Sequence, residues 1–114
     1  MKTFLALYMG SASPEERAAA PPLSKETEAA GMAAWGAWMA KNAAVIVDSG
    51  GPLGKTKKVS KDGVSDTSNA VAAYVVVQAE SHEAAARLFE GHPHFTIFPG
   101  DSVEIMERLP VPGT

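Results

Sequence analysis

The chain has no cysteine, which removes disulfides, zinc ribbons and thiol nucleophiles together and suits a reducing cytoplasm, the compartment expected for it. It also lacks any stretch near the roughly 18 consecutive apolar residues that span a bilayer, so no membrane partner is expected. Basic residues are few: 10 Lys and Arg stand against 13 Asp and Glu, for a formal charge of -3. Only Lys55, Lys57, Lys58 and Lys61 cluster. With no aromatic interleaved for stacking on bases, that cluster reads as the solvated face or charged edge of a strand, and nucleic acid is not an expected partner. Gly50-Gly51 sits in neither a Walker nor a dinucleotide pattern, so no cofactor is expected either.

What is present is apolar material enough for one modest core: 114 residues, 46% of them hydrophobic. A single domain spanning 1–114 is expected, with an extended tail from about residue 110 that carries Pro110, Pro112 and Gly113. The opening Met1-Lys2-Thr3-Phe4-Leu5-Ala6-Leu7-Tyr8-Met9 has a basic start, and Ala12 is the small residue a leader peptide would need. Its apolar run is short for a leader, and Phe4, Leu7 and Met9 predict a buried strand instead.

Turn and cap chemistry divides the rest. Ser13-Pro14-Glu15-Glu16 starts a brief helix, Pro21-Pro22 interrupts it, and Ser24 caps a longer one from Glu26 to about Asn42. Met32, Trp35 and Met39 form a stripe on that helix, with Trp38 beside it. Ser49 to Gly54 reads as a turn that ends a Val45-Ile46-Val47 strand, and Lys61-Asp62-Gly63 reads as a hairpin between Thr56–Ser60 and Val64. Val71–Ala79 is the strongest strand, expected to be central and buried on both faces. Ser81 caps a second helix with Ala85, Leu88 and Phe89 inward, Gly91 and Pro93 stop it, and Val103–Leu109 is the last strand. Strand, helix, strand, strand, helix, strand is the ferredoxin-like α+β plan: an antiparallel sheet with both helices on one face. The other face is left open, and a second copy packed against it, giving a dimeric α+β barrel, is the expected cover.

The string Gly91-His92-Pro93-His94-Phe95 holds two of the three histidines. Imidazole titrates near neutrality and ligates metals. Two such ligands are too few for a tight site, and Pro93 breaks the strand spacing that would align them, so no metal is expected. Two functional readings stay open. In the first, His94 or His92 carries a proton for a small-molecule enzyme, Asp48 or Asp66 orients the imidazole, and Tyr8, Trp35 and Asp66 contact the ligand. In the second, the chain is a non-catalytic ligand-binding or protein-interaction module. Plainer roles exist for each residue: Asp48 as an Asx-turn former, the tryptophans as core, and the histidines as partners of helix-terminal carbonyls. What separates the readings is whether an imidazole and a carboxylate meet in a concave site.

Phe4-Leu5-Ala6-Leu7-Tyr8, the run Met32 to Met39, Asp48-Ser49-Gly50-Gly51-Pro52-Leu53, the stretch from Ala84 to His92-Pro93 and the string from Asp101 together resemble the YCII-related family over nearly the whole chain. The resemblance implies the ferredoxin-like fold and the homodimeric barrel. It also implies a suspected enzymatic role, because some members carry a His and Asp pair in the cleft. In the first helix this chain has Ala34 and Trp35 in place of that histidine, and it has His92-Pro93 where such members have Asp-Pro. The Asp-Gly-Pro-Phe string of a related subgroup is replaced by a hairpin that runs into Val64-Ser65-Asp66.

Overall fold

Strict alternation makes the first strand, β1 (Lys2–Gly10), two-faced: Phe4, Ala6 and Tyr8 are buried, whereas Leu5, Leu7 and Met9 are half-buried on the other side. The buried set is therefore the even-numbered one, and the grouping of Phe4 with Leu7 and Met9 is corrected by the period of two. The computed structural model describes residues 1–11 and 13–113; the leader-type residue Ala12 lies outside the described residues.

Helix α1 (Pro14–Ala19) is capped by Ser13 and helix α2 (Lys25–Lys41) by Ser24, whose hydroxyl accepts the Thr27 amide at 3.1 Å. On α2 the inward stripe is Gly31, Trp35, Trp38 and Met39, while Met32 is 61% exposed, a correction to the expected stripe. A 3-10 turn (Ala43–Val45) leads into β2 (Ile46–Pro52). The expected Gly-rich turn is thus partly strand. It survives as strand because β2 is an edge, where Pro52 loses no ladder bond and two register shifts absorb the glycines. At Gly50 the backbone has φ +67 and an added Cβ would strike the Tyr74 carbonyl, so only glycine fits.

The hairpin follows as β3 (Thr56–Ser60) and β4 (Gly63–Thr67), a separate two-stranded sheet. Strand β5 (Val71–Ala79) buries Val75, Val77 and Ala79 against the helices. Its other face is only half-buried in one chain, so the expectation of burial on both faces is not met. Helix α3 (His82–Arg87), the one-turn helix α4 (Pro93–Thr96) and β6 (Gly100–Glu107) complete the fold.

The main sheet has the order β2-β5-β1-β6, with every neighbouring pair antiparallel. With the hairpin set aside as an insertion, this is the ferredoxin-like α+β arrangement. Phe4, Ala6, Tyr8, Val75 and Val77 from the sheet meet Trp38 and Ala85 from the helices and Phe89 from the turn after α3 in one core. The Trp38 indole donates to the Leu88 carbonyl at 2.8 Å and ties α2 to the segment after α3. No helix among the described residues is long and apolar enough to cross a membrane.

Candidate functional site

Where α2 passes over β1, four aromatic rings gather around His92. The rings of Trp35, Trp38, Tyr8 and Phe89 lie 4.6, 4.8, 5.0 and 5.9 Å from the imidazole, and Tyr8 lies 5.3 Å from His94. Both histidines are buried. The stretch at which Gly91 and Pro93 were expected to stop the second helix is also the entry to α4: Gly91, at φ +68, reverses the chain, and His92 caps the helix.

That cap decides the tautomer. His92 Nδ1 accepts the amide N–H of His94 at 3.0 Å, so in the neutral ring the proton sits on Nε2. Nε2 faces the Tyr8 hydroxyl at 3.2 Å. The imidazole therefore donates and Tyr8 accepts, which leaves the tyrosine its own proton to give. Burial, and secondarily the neighbouring His94, lowers the His92 pKa from 6.5 to about 4, so the ring is neutral at physiological pH. Burial also pushes the Tyr8 hydroxyl well above its ordinary range, and it too is neutral. His94 Nε2 stands 2.7 Å from the Met9 carbonyl, an acceptor, and so must carry a proton as well. This position depends on Gly100, where a Cβ would fall 2.3 Å from the His94 ring.

Beside this cluster lies a cavity of about 360 Å³ between α2 and the sheet, walled by Tyr8, Met32, Trp35, Phe98 and Pro52 together with Ser49, Gly51, Ala73 and Tyr74. The lining is mostly apolar and aromatic, with a few polar atoms, the usual make-up of a small-molecule site. Phe98 reaches it because Gly31 leaves room: a Cβ there would fall 2.4 Å from the Phe98 ring. Gly31 and Phe98 are among the site residues that sequence reasoning missed, and no pattern in either segment signals their contact.

Of the residues singled out from sequence, the fold brings Tyr8, Trp35, His92 and His94 together and holds Asp48 and Asp66 elsewhere. Asp48 is exposed and accepts the Gly50 amide at 2.8 Å, an Asx turn. Asp66 is exposed and pairs with Lys57 on the hairpin. Among the described residues no carboxylate hydrogen-bonds either buried imidazole, and no group of three or more His, Asp or Glu side chains is placed to hold a metal. The polar partner of His92 is a tyrosine hydroxyl.

No family model and no curated protein matches this chain. Among solved structures it is similar to 5-chloro-2-hydroxyhydroquinone dehydrochlorinase from Burkholderia phenoliruptrix, in complex with 2,5-dihydroxybenzoquinone. The TM-score is 0.52 and the identity 17%, over 93% of this chain and 91% of that one. At that identity the likeness establishes the shared α+β fold.

Proposed function

We propose that this chain is a single-domain, YCII-like enzyme that binds a flat, largely apolar ring compound bearing an oxo or hydroxyl group in the cavity between α2 and the sheet. The observation that carries the reading is the Tyr8–His92 hydrogen bond at the wall of that cavity, in a tautomer that leaves the tyrosine proton to donate. Tyr8 donates to a ring oxygen as negative charge builds there, and the His92 Nε2–H steadies the tyrosine oxygen from behind. Because burial holds the tyrosine proton tightly, Tyr8 acts as a polarising donor and not as a base. Trp35 and Phe98 hold the ring faces. A second copy of the chain covers the open sheet face, on which Leu5, Leu7, Val76 and Met106 lie.

A second reading, ligand binding without turnover, is favoured by one observation: among the described residues no carboxylate hydrogen-bonds either buried imidazole to make it a base. Titration of the protein with planar hydroxyquinones and phenols, read by quenching of Trp35 in a Trp38→Phe background, tests both. Saturable quenching is expected, together with conversion of at least one ring compound. Tyr8→Phe is expected to lower kcat by about 10²- to 10³-fold, the usual worth of one such donor. Saturable binding with no conversion leaves the binding module, and no quenching at all removes both readings.

A further inference from the structure

We infer that the β3–β4 hairpin is an arm that grips a second copy of this chain, laid along the β6 side of that copy's open sheet face. The inference rests on the dimer reading above and adds to it the element that does the holding.

A two-stranded hairpin by itself is at best marginally stable in water, and this one is not covered by its own chain. None of its strand residues is buried and only Thr56 is half-buried. Val59 and Val64 are paired directly across the ribbon on one face, yet they are 76% and 70% exposed. The hairpin also leaves the molecule more extended than its length requires: the radius of gyration is 15.8 Å, against roughly 13 Å for a compact chain of this size.

Charge says which surface it fits. Residues 55–67 carry four lysines against two aspartates, which leaves the remainder of the chain at -5 instead of -3. β6 is an edge of the sheet, and among its acids Glu104 is the one on the open face. Pairing with β1 sets Ser102, Glu104 and Met106 opposite Met9, Leu7 and Leu5 on the open face. The arm's valine pair matches Leu5, Leu7 and Met106, and its net positive charge matches Glu104.

The absence of cysteine makes the test clean. Val59→Cys and Met106→Cys are prepared as separate full-length proteins, mixed, allowed to exchange subunits and oxidised. A covalent dimer formed mainly in the mixture, and not by either variant alone, is the expected result. In parallel, sedimentation of a Val59→Asp, Val64→Asp variant should show a dimer dissociation constant at least tenfold weaker than that of the wild type, with an unchanged far-UV circular dichroism spectrum. A wild-type dimer with no mixed cross-link, or with Val59→Cys cross-linking only to itself, overturns the arm and leaves the dimer standing. So does an unchanged dissociation constant. A wild-type monomer overturns both.

Discussion

His92 shows how one side chain can be both structural and chemical. Its Nδ1 caps α4 and its Nε2 holds Tyr8, so the same ring closes a helix and sets the direction of a hydrogen-bond chain. Its pH dependence follows. The unfolded imidazole takes up a proton below its ordinary 6.5, whereas the folded one does so only near 4. Between those values the unfolded state binds more protons, so the stabilisation is complete above 6.5 and is lost as pH falls toward 4, by about 3 kcal/mol in all. His92→Asn keeps a cap, since asparagine is among the best N-caps, and removes the titration. Urea unfolding at pH 7 and pH 4.5 should show the wild type losing at least 2 kcal/mol more than the variant. Parallel pH profiles would mean that His92 stays accessible to protons in the fold. The His92 and His94 string drew notice in the sequence because imidazoles stand out, but their roles did not. Histidine is an uncommon cap, and the partner of His92 is Tyr8, near the opposite end of the chain.

Helix α2 was readable in outline: Ser24 as cap, a run of good helix formers and an aromatic stripe at helical spacing. What could not be read was where the stripe would be interrupted to admit another element. Gly31 looks like a weak point in a helix, yet it is the seat of Phe98. Gly31→Ala sets two effects against each other. Alanine gains about 1 kcal/mol in helix propensity, while overpacking costs about 1–3 kcal/mol because the Phe98 ring has to swing away. Overpacking wins or breaks even, and the displaced ring moves toward the cavity it walls. The melting temperature should stay level or fall, affinity for a planar ring ligand should drop about tenfold, and Phe98→Leu added to the variant should recover the stability. A raised melting temperature with unchanged ligand affinity would show that Phe98 has room to move without entering the site. Strand β2 carries a related lesson. Asp48 to Pro52 has turn composition, and only its place at the edge of the sheet lets it be strand.

For the molecule as a whole, the strand and helix order was enough to read the α+β architecture, since caps and turns separated the main elements in order even where, as at β2, a turn was read inside a strand. It could not show how the two faces of the sheet divide the work. The extents of 50 × 44 × 18 Å describe a thin, two-layer body with helices on one side only. Adjacent residues of β1 therefore face different fates. Ala6 is fully buried against the helices, and Ala6→Lys should leave the chain unfolded, because a cation there has neither water nor a partner. Leu7, one residue on, lies on the open face between Tyr74 and Glu104. Leu7→Lys should fold normally, because the helix-side core is untouched, but it should lose the second copy. Melting curves at two protein concentrations a hundredfold apart separate the cases: a dimer gains stability by mass action, so the wild-type midpoint should rise with concentration and that of Leu7→Lys should not. Sedimentation should find the variant at the monomer mass. If Leu7→Lys sediments with the wild type as a dimer, the open face is not where the copies meet, and the arm laid on that face is overturned with it.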